Sequence, residues 1–196
     1  MSLLELELKR VKFKIEFISG EIPNEKEIEE LKHWCNQFHK NNLTSPMAGA
    51  STGNLSFRKE DDFIITGTSL KTKENLTNES FVRVINYDVY KNTFYVEGVM
   101  EPSSESIMHY LIYNTRDDVN AIFHGHDASI MKNAEKLKLP ITKEEQTPGT
   151  IEFANSVLDV LGNNNFVVIK NRGFVSLGRN MKEAGELAIK IHKKSK

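Results

Sequence analysis

Residues 101–127, EPSSESIMHYLIYNTRDDVNAIFHGHD, constrain this chain more than any other stretch. The first half predicts a helix over 103–115 and the second a buried strand over 121–124. One short unit thus carries a Ser-Ser-Glu step at a helix head and a His-Gly-His step at a strand end. Successive side chains on a strand alternate faces, so His124 and His126 point the same way and can grip one ion. Glu105 and His109 share a helix face, and that helix leads straight back into the strand. A carboxylate beside two imidazoles can ligate a metal, act as a general base, or both. A strand-borne HxH alone is a weak signal, because a satisfied structural pair explains it equally well. The facing Glu105 turns it toward chemistry.

Ser103 and Ser104 fall at the predicted helix start, where free N–H groups and the helix dipole favour an anion such as phosphate. Plain N-capping by Ser103 is the alternative. Further donors are available in the Gly53-Asn54 turn and the Thr66-Gly67-Thr68-Ser69 turn.

Strands and helices mix along the chain without strict βαβ alternation, which predicts an α/β domain with a mixed or antiparallel sheet covered by helices. Val11, Phe13, Ile15 and Phe17 alternate with Lys12, Lys14 and Glu16, the pattern of a half-buried edge or interface strand. After Pro23, Asn24 is placed to cap a helix to about 42, with Ile28, Leu31, Cys35 and Phe38 inward and His33 and His39 at the surface. A strand over 62–66, a hairpin from 82–86 and 93–96, helices over 127–137, 150–161 and 181–193, and an interrupted strand over 166–175 complete the pattern.

Charge and cysteine use exclude several classes. With 26 basic against 27 acidic residues, the formal net charge of -1 gives no global attraction to nucleic acid or an anionic membrane. The C-terminal KIHKKSK reads as a solvated helix end favoured by the helix dipole. A single cysteine, Cys35, cannot form an internal disulfide, and together with the lack of a secretory segment it predicts a reducing, cytoplasmic setting and a buried structural thiol. No apolar run reaches the roughly 18 residues of a membrane span.

GNLSFR, IITGTS, PSSESIMHYLIYNTRDDVNAIFHGHD, PGTIEFA and VVIKNRGFVSLG, in this order, resemble the class II aldolase/adducin family, whose enzymes include fuculose-phosphate and related aldolases. The resemblance spans about 27–193. It implies a three-layer α/β/α domain over 21–196 with a central, mostly antiparallel mixed sheet, preceded by an N-terminal strand extension over 1–20. It also implies a homotetramer with active sites between subunits. On this resemblance His124 and His126 bind zinc, and Glu105 binds the ion in the free enzyme and shuttles protons. Asn54, Thr68, Ser69, Ser103 and Ser104 hold the substrate phosphate, with Ser69 standing where the family usually has glycine. The implied activity is that of a metal-dependent aldolase-like lyase, or a related epimerase or dehydratase. Its substrate is a small phosphorylated ketose, cleaved through a metal-stabilised enediolate.

Two departures qualify that expectation. The family's third zinc histidine corresponds here to Arg172, a permanent cation. Glu105, His124 and His126 can then form a two-histidine, one-carboxylate site suited to Fe(II), Mn or Co as well as zinc. Alternatively, Arg172 pairs with Glu105 and replaces the ion. In a third arrangement the metal is absent and the domain serves ligand binding or assembly, as the adducin head does. The segment 139–150 is also short and lacks the family's tyrosine acid, leaving Glu144, Glu145 and Gln146 within reach of the site. Tyr110 and Tyr113 are candidate replacements but read as core aromatics, and His109 reads as a supporting or packing residue.

Overall fold

Strands whose central members are buried on both faces build a sheet, and helices with one apolar face close over each side of it. A computed structural model describes residues 13–47 and 49–196. The strands are β1 (Lys14–Ser19), β2 (Pro46–Met47), β3 (Ala50–Ser51), β4 (Asn54–Lys59), β5 (Asp62–Thr66), β6 (Phe81–Asp88), β7 (Thr93–Glu97), β8 (Ala121–Gly125), β9 (Phe166–Ile169) and β10 (Gly173–Gly178). The helices are α1 (Ile28–Lys40), α2 (Ser106–Thr115), α3 (Ala128–Asn133), α4 (Ile151–Leu161) and α5 (Met181–Ser195).

Eight strands form one sheet in the order β1-β7-β6-β5-β4-β8-β10-β9, while β2 and β3 pair separately. Only β1 and β7 run parallel; every other neighbouring pair is antiparallel. On one face Ile107 and Ile112 of α2 and Phe153 and Val157 of α4 meet Ile65, Val82 and Ile122. On the other, Leu31 and Phe38 of α1, Ile130 of α3 and Ala188 of α5 meet Leu55, Phe123 and Phe174. The result is the predicted three-layer α/β/α arrangement around a mostly antiparallel sheet.

Several details differ from the sequence expectation. Strand β1 is the expected edge strand, paired with β7, but its burial does not alternate: Phe13 just before it packs edge-on to Phe94 at 4.6 Å, whereas Phe17 is 49 % exposed. Val11 and Lys12 lie outside the described residues. Asn24 does not cap α1, which starts later behind Glu27; its side chain accepts a hydrogen bond from Asn78 instead (3.2 Å). The tail of α5 is not uniformly solvated. His192 and Ser195 are buried, because α5 lies across α3, where His192 bonds Asp127 and Ser195 Oγ meets Ser129 Oγ at 2.8 Å. Lys190, Lys193 and Lys194 remain exposed. Cys35 is fully buried as expected, and burial pushes its thiol up to about 12. Among the described residues no helix is long and apolar enough to cross a membrane.

Candidate active site

The site forms where the start of β4, the end of β8 and the start of β10 converge beneath the head of α2. Pairing of β4 with β8 sets Asn54 opposite His124, and pairing of β8 with β10 sets Gly125 opposite Phe174. A side chain at 125 would come within 2.7 Å of the Phe174 ring and 3.0 Å of the Leu43 carbonyl, so the residue between the two histidines has room only for hydrogen.

Strand β4 and helix α2 face each other through a polar ladder. Two residues of a strand advance about 6.6 Å and four residues of a helix about 6 Å. Asn54, Ser56 and Arg58 therefore stay in step with Glu105, His109 and Tyr113. Asn54 Nδ2 donates to Glu105 Oε2 at 2.6 Å, which turns its Oδ1 toward His109 Nε2 at 2.7 Å. Burial, and secondarily His124, lowers the His109 pKa to about 3, so the ring is neutral with its one proton on Nε2. Nδ1 must then accept, and Ser56 Oγ, 2.7 Å away, donates to it. Tyr113 OH, 2.8 Å from Ser56 Oγ, donates in turn to the serine. Arg58 lies over the Tyr113 ring and donates to the Tyr113 carbonyl at 2.7 Å. Glu105 is thus the end of a buried, directional hydrogen-bond chain.

The imidazoles are oriented from the other side. His124 Nδ1 donates to the Phe174 carbonyl at 2.8 Å, leaving its Nε2 lone pair 3.3 Å from Glu105 Oε2 and 3.1 Å from His126 Nε2. Burial, and then His124, lowers the His126 pKa to about 4. Ligand atoms bound at about 2.0–2.1 Å to one tetrahedral ion stand roughly 3.3 Å apart. Both spacings match that requirement, and the orienting bond to a carbonyl is the usual support for a ligating histidine. Among the described residues, however, no three His, Cys, Asp or Glu side chains already enclose one point. The three groups stand as two contacts sharing His124 Nε2.

Arg172 sits beside this cluster but does not pair with Glu105. Gly173 presses on the backbone of Gly125 and His126, bringing position 172 next to His126. The guanidinium turns to Glu145, with Nη2 3.3 Å from Oε1, while Asn171 Nδ2 holds the other oxygen of the same carboxylate at 2.8 Å. Arg172 Nε is buried without a partner. The arrangement in which Arg172 neutralises Glu105 is thereby overturned, because Glu145 on the short 139–150 segment captures it first.

The two serine-threonine stretches are also drawn together. Gly67 bridges Pro102, and Thr68 N–H donates to the Glu101 carbonyl at 2.9 Å, so Thr68-Ser69 runs alongside Ser103-Ser104. This bridge delays α2 to Ser106 and leaves residues 103–105 in a turn, with Glu105 N–H donating to Ser103 Oγ at 3.4 Å. Ser69 holds φ 56, the left-handed region that favours glycine. Gly149 packs against the Ser104 carbonyl and brings the 139–150 segment over this turn.

Residues 29–196 match the family described as the Class II Aldolase and Adducin N-terminal domain. The chain belongs to this family. It is 28 % identical over 152 residues, 68 % of this chain and 77 % of the relative, to an L-fuculose phosphate aldolase of Methanococcus maripaludis. A methylthioribulose-1-phosphate dehydratase of Citrobacter koseri is 33 % identical over 93 residues, 47 % of this chain and 43 % of that protein's length. Among solved structures, an L-fuculose 1-phosphate aldolase superposes with a TM-score of 0.72 at 24 % identity, covering 89 % of this chain and 85 % of the other. These sequence relatives are enzymes, and the likeness supports reading this class II aldolase domain as one.

Sequence motifs mark some of these residues without showing their partners: Asn54 and Ser56 lie in GNLSFR but meet α2 because the sheet pairs β4 beside β8, and Glu145 meets Arg172 at the β9–β10 turn. Lys73, in the loop after β5, is 2 % exposed and falls in no periodic pattern. Neither candidate tyrosine is free as an acid: Tyr113 is tied to Ser56, and Tyr110 packs on Tyr87 at 5.4 Å.

Proposed function

We propose that this class II aldolase/adducin domain is a lyase acting on a small phosphorylated sugar, with a divalent ion held by Glu105, His124 and His126. The observation carrying this reading is the carboxylate oxygen of Glu105 set beside the free lone pair of His124, both fixed by hydrogen bonds from behind. A bound divalent ion, zinc by resemblance or Fe(II), Mn or Co by donor set, supplies Lewis acidity toward a carbonyl and its adjacent hydroxyl. Asn54 orients Glu105 so that its carboxylate can accept and return the proton that changes place during cleavage or dehydration. Thr68, Ser69, Ser103 and Ser104 offer hydroxyl and N–H donors to the phosphate, while Asn54, with both ends of its amide engaged, acts through Glu105. A sugar phosphate appears in the name of each reported relative, and both aldolase and dehydratase chemistry are represented. Residues 21–196 are read as the catalytic unit, with β1 as an added edge strand before it, and the working form as a cytoplasmic homotetramer.

Arg172 favours a second reading, a metal-free domain used for ligand binding or assembly, because it brings a cation to His126 where a third ligand is expected. Metal analysis of protein purified without added ions, on the wild type and His126→Ala, separates the two. Stoichiometric metal lost in the variant, together with turnover of a ketose 1-phosphate panel, supports the lyase. A wild type that takes up no zinc, iron or manganese on titration refutes the metal site. Arg172→His is expected to increase metal occupancy; no change means that position 172 does not face the ion.

A further inference from the structure

We propose that the free edge of β1 docks a second copy of this chain, the two β1 strands pairing antiparallel about a two-fold axis at Ile15. Strand β1 ends the eight-stranded sheet, and among the described residues its only strand partner is β7. The other end of the sheet is closed. Thr142 N–H donates to the Val168 carbonyl at 3.0 Å and Val168 N–H to the Pro140 carbonyl at 2.8 Å, so residues 140–142 cover β9. An uncovered edge, by contrast, is a template for another strand.

Apolar exposure collects at this same edge. Among the described residues the exposed large apolar side chains are Phe17, Ile18, Val89, Tyr90 and Val99. Phe17 and Ile18 belong to β1 itself. Val89 and Tyr90 lie in the β6–β7 turn, whose Asn92 carbonyl accepts from Lys14 N–H at 2.8 Å. Val99 follows Gly98, whose N–H donates to the Ser19 carbonyl at 3.2 Å. All five therefore border β1, a concentration that marks an interaction surface.

The occupant follows from the strand. Residues 3–18 hold no Gly, Pro, Asn, Asp or Ser, so the chain before β1 lacks the residues that build a tight turn back onto it. Lys14 N–H points to β7, so the N–H and C=O of Ile15, one residue on, face outward. Two copies related by a two-fold axis at Ile15 exchange these groups, and Lys14 of each then stands opposite the partner's Glu16. Both side chains are exposed and form no ion pair among the described residues. Centring the pair on 14 or 16 instead sets like charges face to face, and centring it on 17 forms no ion pair. In the Ile15 register the half-exposed Phe17 lies across from the partner's Phe13 and is covered by it.

Sedimentation of the full chain over a dilution series tests the pairing on the wild type, Glu16→Lys, and the charge swap Lys14→Glu with Glu16→Lys, with far-ultraviolet circular dichroism checking the fold. Glu16→Lys sets lysine against lysine at both ends of the pair. It is expected to raise the dissociation constant about tenfold or more and so to halve the copies per particle. The swap exchanges the two signs and restores the assembly, a recovery that a merely structural role of β1 does not give. Halving is read whatever other contacts hold a tetramer together, and it is independent of the sugar-phosphate reading. A wild type that stays monomeric overturns the proposal, leaving the edge to residues 1–12 or to an unrelated chain. An assembly unchanged in Glu16→Lys overturns it too, as does a charge swap that dissociates like the single variant.

Discussion

The direction of every hydrogen bond in the β4–α2 ladder follows from Asn54 presenting its N–H end to Glu105, and that direction can be tested by stability alone. Ser56→Ala removes a fully buried hydroxyl that donates to His109 Nδ1 and accepts from Tyr113 OH. Both partners are left buried without a bond, at about 1–3 kcal/mol each, so the expected cost is roughly 2–6 kcal/mol. For a chain of this size that lowers Tm by about 2–4 °C per kcal/mol. Tyr113→Phe removes only the terminal donor, leaving Ser56 free to continue donating to His109, and is expected to cost about 1 kcal/mol. In the double variant the orphaned tyrosine hydroxyl is gone. Adding Tyr113→Phe to Ser56→Ala should therefore recover about 1–3 kcal/mol rather than reduce stability, which with its cost of about 1 alone is a coupling of about 2–4 kcal/mol in the cycle. Urea unfolding of the four proteins at pH 7 measures all three quantities. If Tyr113→Phe costs as much as Ser56→Ala, or the two effects add, then the serine donates to the tyrosine, and the tautomer assigned to His109 is wrong.

The same histidine sets a pH dependence. With His109 at about 3 in the folded protein against an ordinary 6.5, the unfolded chain takes up a proton that the folded one refuses; stability is full above about 6.5 and falls by up to ~1.4 kcal/mol per pH unit toward 3. His109→Gln should flatten the decline in urea midpoint between pH 6 and 4, leaving the same-signed contribution of His126, and an unchanged slope refutes the assignment. On the opposite face, Gly185→Ala tests packing: helix propensity favours alanine by about 1 kcal/mol, but the new methyl overlaps the Trp34 ring, so the variant should lose about 1–3 kcal/mol in thermal or urea unfolding. A gain in stability would mean that α1 and α5 are not in contact there.

How much of this was legible in sequence depended on how local the cause was. The β6–β7 hairpin, β8 and the spans of α4 and α5 followed from alternation and helical spacing, and Thr150 and Asn180 cap those two helices in the structure. The start of α2 did not, because the Gly67–Pro102 bridge holds residues 103–105 out of the helix. His192 looked like a dipole-favoured helix end, since nothing local shows that Asp127 lies across from it. His124 and His126 were readable as a pair because they share a strand face, and Glu105 was readable beside them because its helix leads straight back into that strand. Ser56 reaches its partners 53 and 57 residues away only through sheet order, and no spacing rule encodes that.

The ladder also explains why the arginine at 172 leaves the rest of the cluster in place. Asn54 fixes Glu105, and His109, Ser56 and Tyr113 in turn fix Asn54, all from β4 and α2. The Phe174 carbonyl orients His124 from β10. None of these supports passes through residue 172. Arg172 meanwhile is captured by Glu145, so beside His126 it forms half of an ion pair rather than an isolated charge. Its effect on a bound cation is therefore that of a dipole, which weakens with distance faster than a bare charge. The Glu105 carboxylate and the His124 imidazole are held by supports that do not pass through residue 172.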